Sequence, residues 1–144
     1  MVSGAESIQA AARSWRHRLG WTLSGLAILF LVMDATAKLL ALPVVVESGA
    51  ALGLPGVSMA RALGAILMAC AILYAAPRTA VLGAILVTGY LGGAVATHVR
   101  AGSPLFSHVL FGVYVGVIVW AGIYLREPKL RMLMPTRATR VSSV

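Results

Sequence analysis

The sequence predicts an all-α membrane protein: a bundle of four transmembrane helices with both termini on the cytoplasmic side. Three observations carry this. Hydrophobic residues make up 60% of the 144-residue chain and charged residues only 11%, too little charge to cover the surface of a soluble domain. Four apolar stretches, at about 19–42, 58–76, 79–99 and 107–125, each approach the roughly 20 residues that cross a hydrocarbon core. The 12 Lys and Arg residues divide unevenly between the two ends of such a bundle. Arg13, Arg16, Arg18, Arg78, Arg126, Lys129, Arg131, Arg137 and Arg140 fall on the side of the termini, and only Lys38, Arg61 and Arg100 fall opposite. That excess on one side places it in the cytoplasm. It also accounts for the net charge of +8 without nucleic acid. The expected setting is a membrane crossed several times.

Residues 1–18 form a basic leader, of which 1–12 are expected to be mobile or to lie as a short helix on the membrane. Trp15 and Trp21 flank the Arg13–Arg16–His17–Arg18 cluster, and tryptophan favours headgroup depth. The first span is uncharged and largely apolar until Asp34, Thr36 and Lys38. Ala35–Thr36–Ala37 resembles a signal-peptidase site, but the apolar pattern continues through Leu39, Leu40 and Leu42. The segment therefore reads as a span. Asp34 and Lys38 are four apart and share a helix face.

A connecting segment, 43–57, holds Glu47 and ends at Gly53–Leu54–Pro55–Gly56, a turn signal. The second span carries Arg61 in its first turn. Its Cys70 is the chain's single cysteine, so neither a disulfide nor a thiolate metal site is expected. Pro77 and Arg78 make the turn into the third span. Small residues recur there at every fourth position, Ala80, Ala84, Thr88, Gly92 and Ala96, beside a second row of Gly89, Gly93 and Thr97. Small residues on one face let a second helix approach closely, so this span is expected to be the central packing helix. The fourth span carries Gly112 and Gly116 in GxxxG spacing, a packing signal of moderate specificity. Residues 127–144 form a basic tail.

Alternating topology gathers the polar residues of the spans at one end. Asp34, Lys38, Arg61, Thr97, His98, Arg100 and His108 all fall at the outer helix ends, with Glu47 above them. Charged residues at this depth usually face a bundle interior or a watery cavity. Asp34 and His98 are the candidate acid/base pair. Lys38, Glu47, Arg61, Thr97, Arg100 and His108 are candidate ligand-binding residues. The same set suits a polar head, such as a quinone carbonyl, held over a slot for an apolar tail. His98 and His108 with Asp34 or Glu47 are the one arrangement with metal-ligand chemistry, and no metal is assigned to it.

The stretch PRTAVLGAIL…GYLGGAVATH over residues 77–98, the span after it, and YLREPKLR over 124–131 closely resemble the DoxX-like family of small four-helix bacterial membrane proteins. The resemblance covers about residues 29–135, including Asp34, Lys38 and Pro43, and leaves the leader outside. It implies a membrane setting and a quinone or redox partner, because the family is named for a subunit of a thiosulfate:quinone oxidoreductase. It carries over no catalytic residue. In architecture the family is also distantly similar to small membrane isomerases of the sterol-isomerase type.

Three functions are compatible with this reading. The first is a redox-accessory subunit that binds a quinone or other apolar small molecule near the outer helix ends. The second is a cofactor-free membrane enzyme, of isomerase or hydrolase type, working by acid/base chemistry at the same cluster. The third is a structural or assembly partner for a soluble oxidoreductase. A homo-oligomer is compatible with each.

Overall fold

The computed structural model describes residues 2–128 and 130, and every described element is helical. The order is α1 (Val2–Leu39), α2 (Pro43–Ala51), α3 (Val57–Ala75), α4 (Ala80–Arg100), a π-helical turn (Leu105–Val109) and α5 (Leu110–Arg126). Four segments are long and apolar enough to cross a membrane: Ser14–Leu39, Val57–Ala75, Ala80–Arg100 and Leu105–Arg126. The protein is thus a four-helix membrane bundle. The leader is continuous with the first span, because no proline or glycine pair interrupts residues 5–19. Lys129, Arg131, Arg137 and Arg140 of the tail lie outside the described residues.

Helices α1, α3, α4 and α5 stand in a ring. Neighbours in the ring are α1 with α3, α3 with α4, α4 with α5, and α5 with α1. Each neighbouring pair is antiparallel, so α1 and α4 face each other diagonally, as do α3 and α5. No single helix is central. The core is built of small and medium side chains, including Ala27, Leu31, Ala35, Leu67, Ala71, Ala84, Val87 and Val119. Large apolar residues such as Leu29, Ile72 and Val117 point outward. In lipid the outside is as apolar as the inside, so close backbone packing rather than expulsion of apolar surface selects what is buried.

Each of the four seams contains at least one glycine. A Cβ on Gly64 would lie 2.8 Å from the Leu39 nitrogen of α1. On Gly83 it would collide with the Tyr74 backbone of α3. On Gly112 it would lie 2.9 Å from a Val95 methyl of α4, and on Gly122 2.9 Å from the Ser24 nitrogen of α1. The expected small-residue row on α4 is used only in its first half. Ala80, Gly83, Ala84 and Val87 are buried, whereas Thr88, Gly89, Gly92, Gly93 and Ala96 are exposed.

Candidate functional site: the outer helix ends

The polar residues of the end away from the termini, labelled outer after the sequence expectation, separate into three groups. In the first, Lys38 Nζ donates to Asp34 Oδ1, as the four-residue spacing predicts. Both side chains are half-buried, and theirs is the only ion pair among the described residues. The Gly64 seam holds this stretch of α1 against α3. Tyr90 of α4, half-buried, lies within Coulombic reach of Asp34 across the ring.

The second group is a tether. Arg100, at the end of α4, donates from Nη2 to the Leu52 carbonyl at 2.7 Å. Its guanidinium lies against Gly53, which adopts φ +75°. A side chain at position 53 would be strained by that φ and crowded by Arg100. The connection after α2 is thereby pinned to the end of α4.

The third group is the histidine pair. His98 and His108 have ring centroids 5.7 Å apart, tilted by 56°. His98 Nδ1 is 3.1 Å from Ser103 Oγ, and His108 Nδ1 is 2.7 Å from Ser107 Oγ. The Gly102–Ser103–Pro104 turn brings the two rings together, with Gly102 at φ +67°. His108 lies in the π-helical turn, whose extra residue per turn re-aims side chains and recurs at functional sites. No carboxylate joins the pair in a metal-binding group among the described residues.

Directly beneath this pair runs an apolar groove of about 400 Å³ between α4 and α5. Its lining includes Leu91, Gly92, Val95, Gly112, Gly116 and Trp120. Val95 is one turn before His98, and Gly112 one turn after His108. The groove is open because Gly92 of α4 and Gly116 of α5 present no side chain into it, whereas Gly112 at its upper end packs closely against Val95. Its far end is closed by Trp120, whose Nε1 donates to Thr88 Oγ1 at 2.9 Å. Thr88 in turn donates to the Ala84 carbonyl, so the indole is held in one orientation.

The remaining candidates stand apart. Asp34 and His98 share no hydrogen bond, each being committed to another partner. Thr97 donates to the Gly93 carbonyl within its own helix. Arg61 and Glu47 are exposed. At the opposite end, sequence reasoning missed a connected set: Ser24, Tyr74 and Arg126. Tyr74 and Ser24 are completely buried and Arg126 nearly so. The available signals were a lone serine within an apolar run and an arginine that directly ends the most apolar span.

Fold and geometry together define a small multi-pass membrane protein with one polar end and a groove leading to it. The chain belongs to the DoxX-like family, whose sequence pattern matches residues 22–122. Comparison with curated proteins and with solved structures gives no match.

Proposed function

We propose that the protein binds a quinone or a similar small molecule with a polar head and an apolar tail. It would act as a redox-accessory subunit in a bacterial inner membrane, with both termini in the cytoplasm. The observation that carries this reading is the apolar α4–α5 groove lying one turn below the His98–His108 pair. The tail would lie along Leu91, Val95, Gly112 and Gly116. The head would meet the two imidazoles, which can each donate to or accept from a carbonyl or hydroxyl. Ligand sites of this kind combine an apolar lining with a few convergent polar groups. Family membership agrees with it, through the quinone chemistry for which the family is named. Asp34 and Lys38 neutralise each other beside α3 and would tune the field at Tyr90 rather than touch the ligand.

Titration of the protein in nanodiscs with ubiquinone and menaquinone analogues tests the proposal. Trp120 lines the groove, so its fluorescence should be quenched saturably. The quench should disappear in Trp120→Phe. It should weaken in Gly92→Leu, which places a side chain into the groove from a position where an added Cβ meets no atom within 4 Å. Non-saturable quenching that is the same in Gly92→Leu would rule out the groove as a site.

A further inference from the structure

The end of the bundle that carries the termini holds a cation that the quinone reading does not use. Arg126 ends α5 and is only 3% exposed. Its guanidinium carbon lies 4.8 Å from the centroid of the Trp21 ring and 5.1 Å from that of Tyr74. Nη2 donates to the Tyr74 carbonyl at 3.0 Å, which satisfies one of the last carbonyls of α3. Nε and Nη1 have no hydrogen-bond partner. Of the four acidic residues, Asp34 and Glu47 lie at the opposite end, and Glu6 lies about four turns before Trp21 along α1. Glu127, next in sequence, forms no ion pair with Arg126.

A buried cation with two unpaired N–H groups is far from its lowest free energy. The aromatic faces supply part of the compensation, but they hydrogen-bond to none of its N–H groups. The missing partner is an anion with more than one acceptor oxygen, which matches the planar fork of a guanidinium. Two features point to where that anion comes from. Arg126 closes the span Leu105–Arg126, so it sits at headgroup depth. Its cover, Trp21, is 44% exposed, and its Nε1 donates a 3.3 Å hydrogen bond to His17 Nε2 of the same helix, the two rings meeting edge-on. An anion at the membrane interface would reach the guanidinium past the half-exposed Trp21 ring. Exposed Arg16 and Arg18 on the same side raise the local concentration of anions.

We propose that Arg126, between Trp21 and Tyr74, is a binding site for a phosphate group, supplied by the phosphodiester of an anionic phospholipid. The lipid would seal the seam between α1, α3 and α5 and complete the hydrogen bonding of Arg126. The site is independent of the groove at the other end, so the failure of either reading leaves the other untouched.

The test measures thermal unfolding of the full chain in phosphatidylcholine nanodiscs with increasing phosphatidylglycerol, and separately with inorganic phosphate. Phosphatidylglycerol should raise the unfolding midpoint saturably in the wild type and in Arg78→Gln, a variant at an exposed cation. The rise should be lost in Arg126→Gln. Stabilisation by inorganic phosphate as well, lost in the same variant, would support the phosphate site with a free ion as its source. Because Arg126→Gln removes a buried contact and can unfold the chain, Arg126→Lys provides the second reading. It keeps the charge, loses the fork, and should respond to phosphatidylglycerol less than the wild type. An equal response in Arg126→Lys, or in a folded Arg126→Gln, would overturn the proposal. Loss of the response in Arg78→Gln would also overturn it, by assigning the effect to the exposed basic surface.

Discussion

The Tyr74 hydroxyl of α3 donates a 2.9 Å hydrogen bond to the Val119 carbonyl of α5, joining two helices that stand diagonally in the ring. The phenol has one hydrogen, so its oxygen is left to accept from Ser24 Oγ of α1, 3.1 Å away. Three of the four spans thus meet at one buried oxygen. Arg126 binds the backbone carbonyl of the same tyrosine.

Tyr74→Phe should therefore destabilise the bundle out of proportion to the atom removed. Loss of the hydroxyl unties α3 from α5 and leaves the buried Ser24 hydroxyl without this partner, an effect of about 1–3 kcal/mol. Unfolding of the purified protein in mild detergent, followed by circular dichroism, would show it. Ser24→Ala should cost less, because Tyr74 keeps its bond to Val119.

The glycines of the third span should divide by position. Gly83→Ala would drive a methyl into the Tyr74 backbone, where no side chain can rotate aside. A loss of about 3 kcal/mol or more is expected, at the upper end for overpacking. Gly92→Ala meets nothing within 4 Å and should be neutral or up to ~1 kcal/mol stabilising through helix propensity. Thermal unfolding of the two variants side by side is the check, and equal effects would contradict the seam assignment.

Removing one member of the Asp34–Lys38 pair should be worse than removing both. Asp34→Ala leaves the Lys38 ammonium half-buried without its partner, whereas Asp34→Asn keeps a hydrogen-bond acceptor and should be milder. A double-mutant cycle with Lys38→Met should give a coupling of about 1 kcal/mol, between an exposed and a buried pair. A coupling of zero would mean that water, not the partner, stabilises each charge.

Arg100→Ala should loosen the outer connection without unfolding the bundle. Arg100 is exposed and buries little, but it holds the Leu52 carbonyl. Amide exchange over residues 49–56 should accelerate while the unfolding midpoint changes little, as for a segment that opens locally. Unchanged exchange there would show that α2 is held by its apolar contacts alone.

The sequence alone determined the parts that depend on local pattern. Length and hydropathy of four stretches specify four spans, because a bilayer imposes one length on any helix that crosses it. The i, i+4 spacing of Asp34 and Lys38 specifies their pairing, because helix geometry brings them together whatever surrounds them. Gly112 likewise announces the α4–α5 contact through its GxxxG spacing. The tertiary structure decided which faces meet. Two helix rotations can satisfy the same row of small residues, and the row on α4 turned out to pack only where α3 returns tightly after the 76–79 turn. Its outer half stands open and, with Gly112 and Gly116, makes the groove. Topology put all the outer polar residues at one level, but the ring order separates them sideways: Asp34 lies beside α3, and the histidines lie over α4 and α5. Ser24, Tyr74 and Arg126 sit 50 and 52 residues apart in sequence. Their meeting depends on the azimuth of three helices at once, which no spacing within one helix encodes.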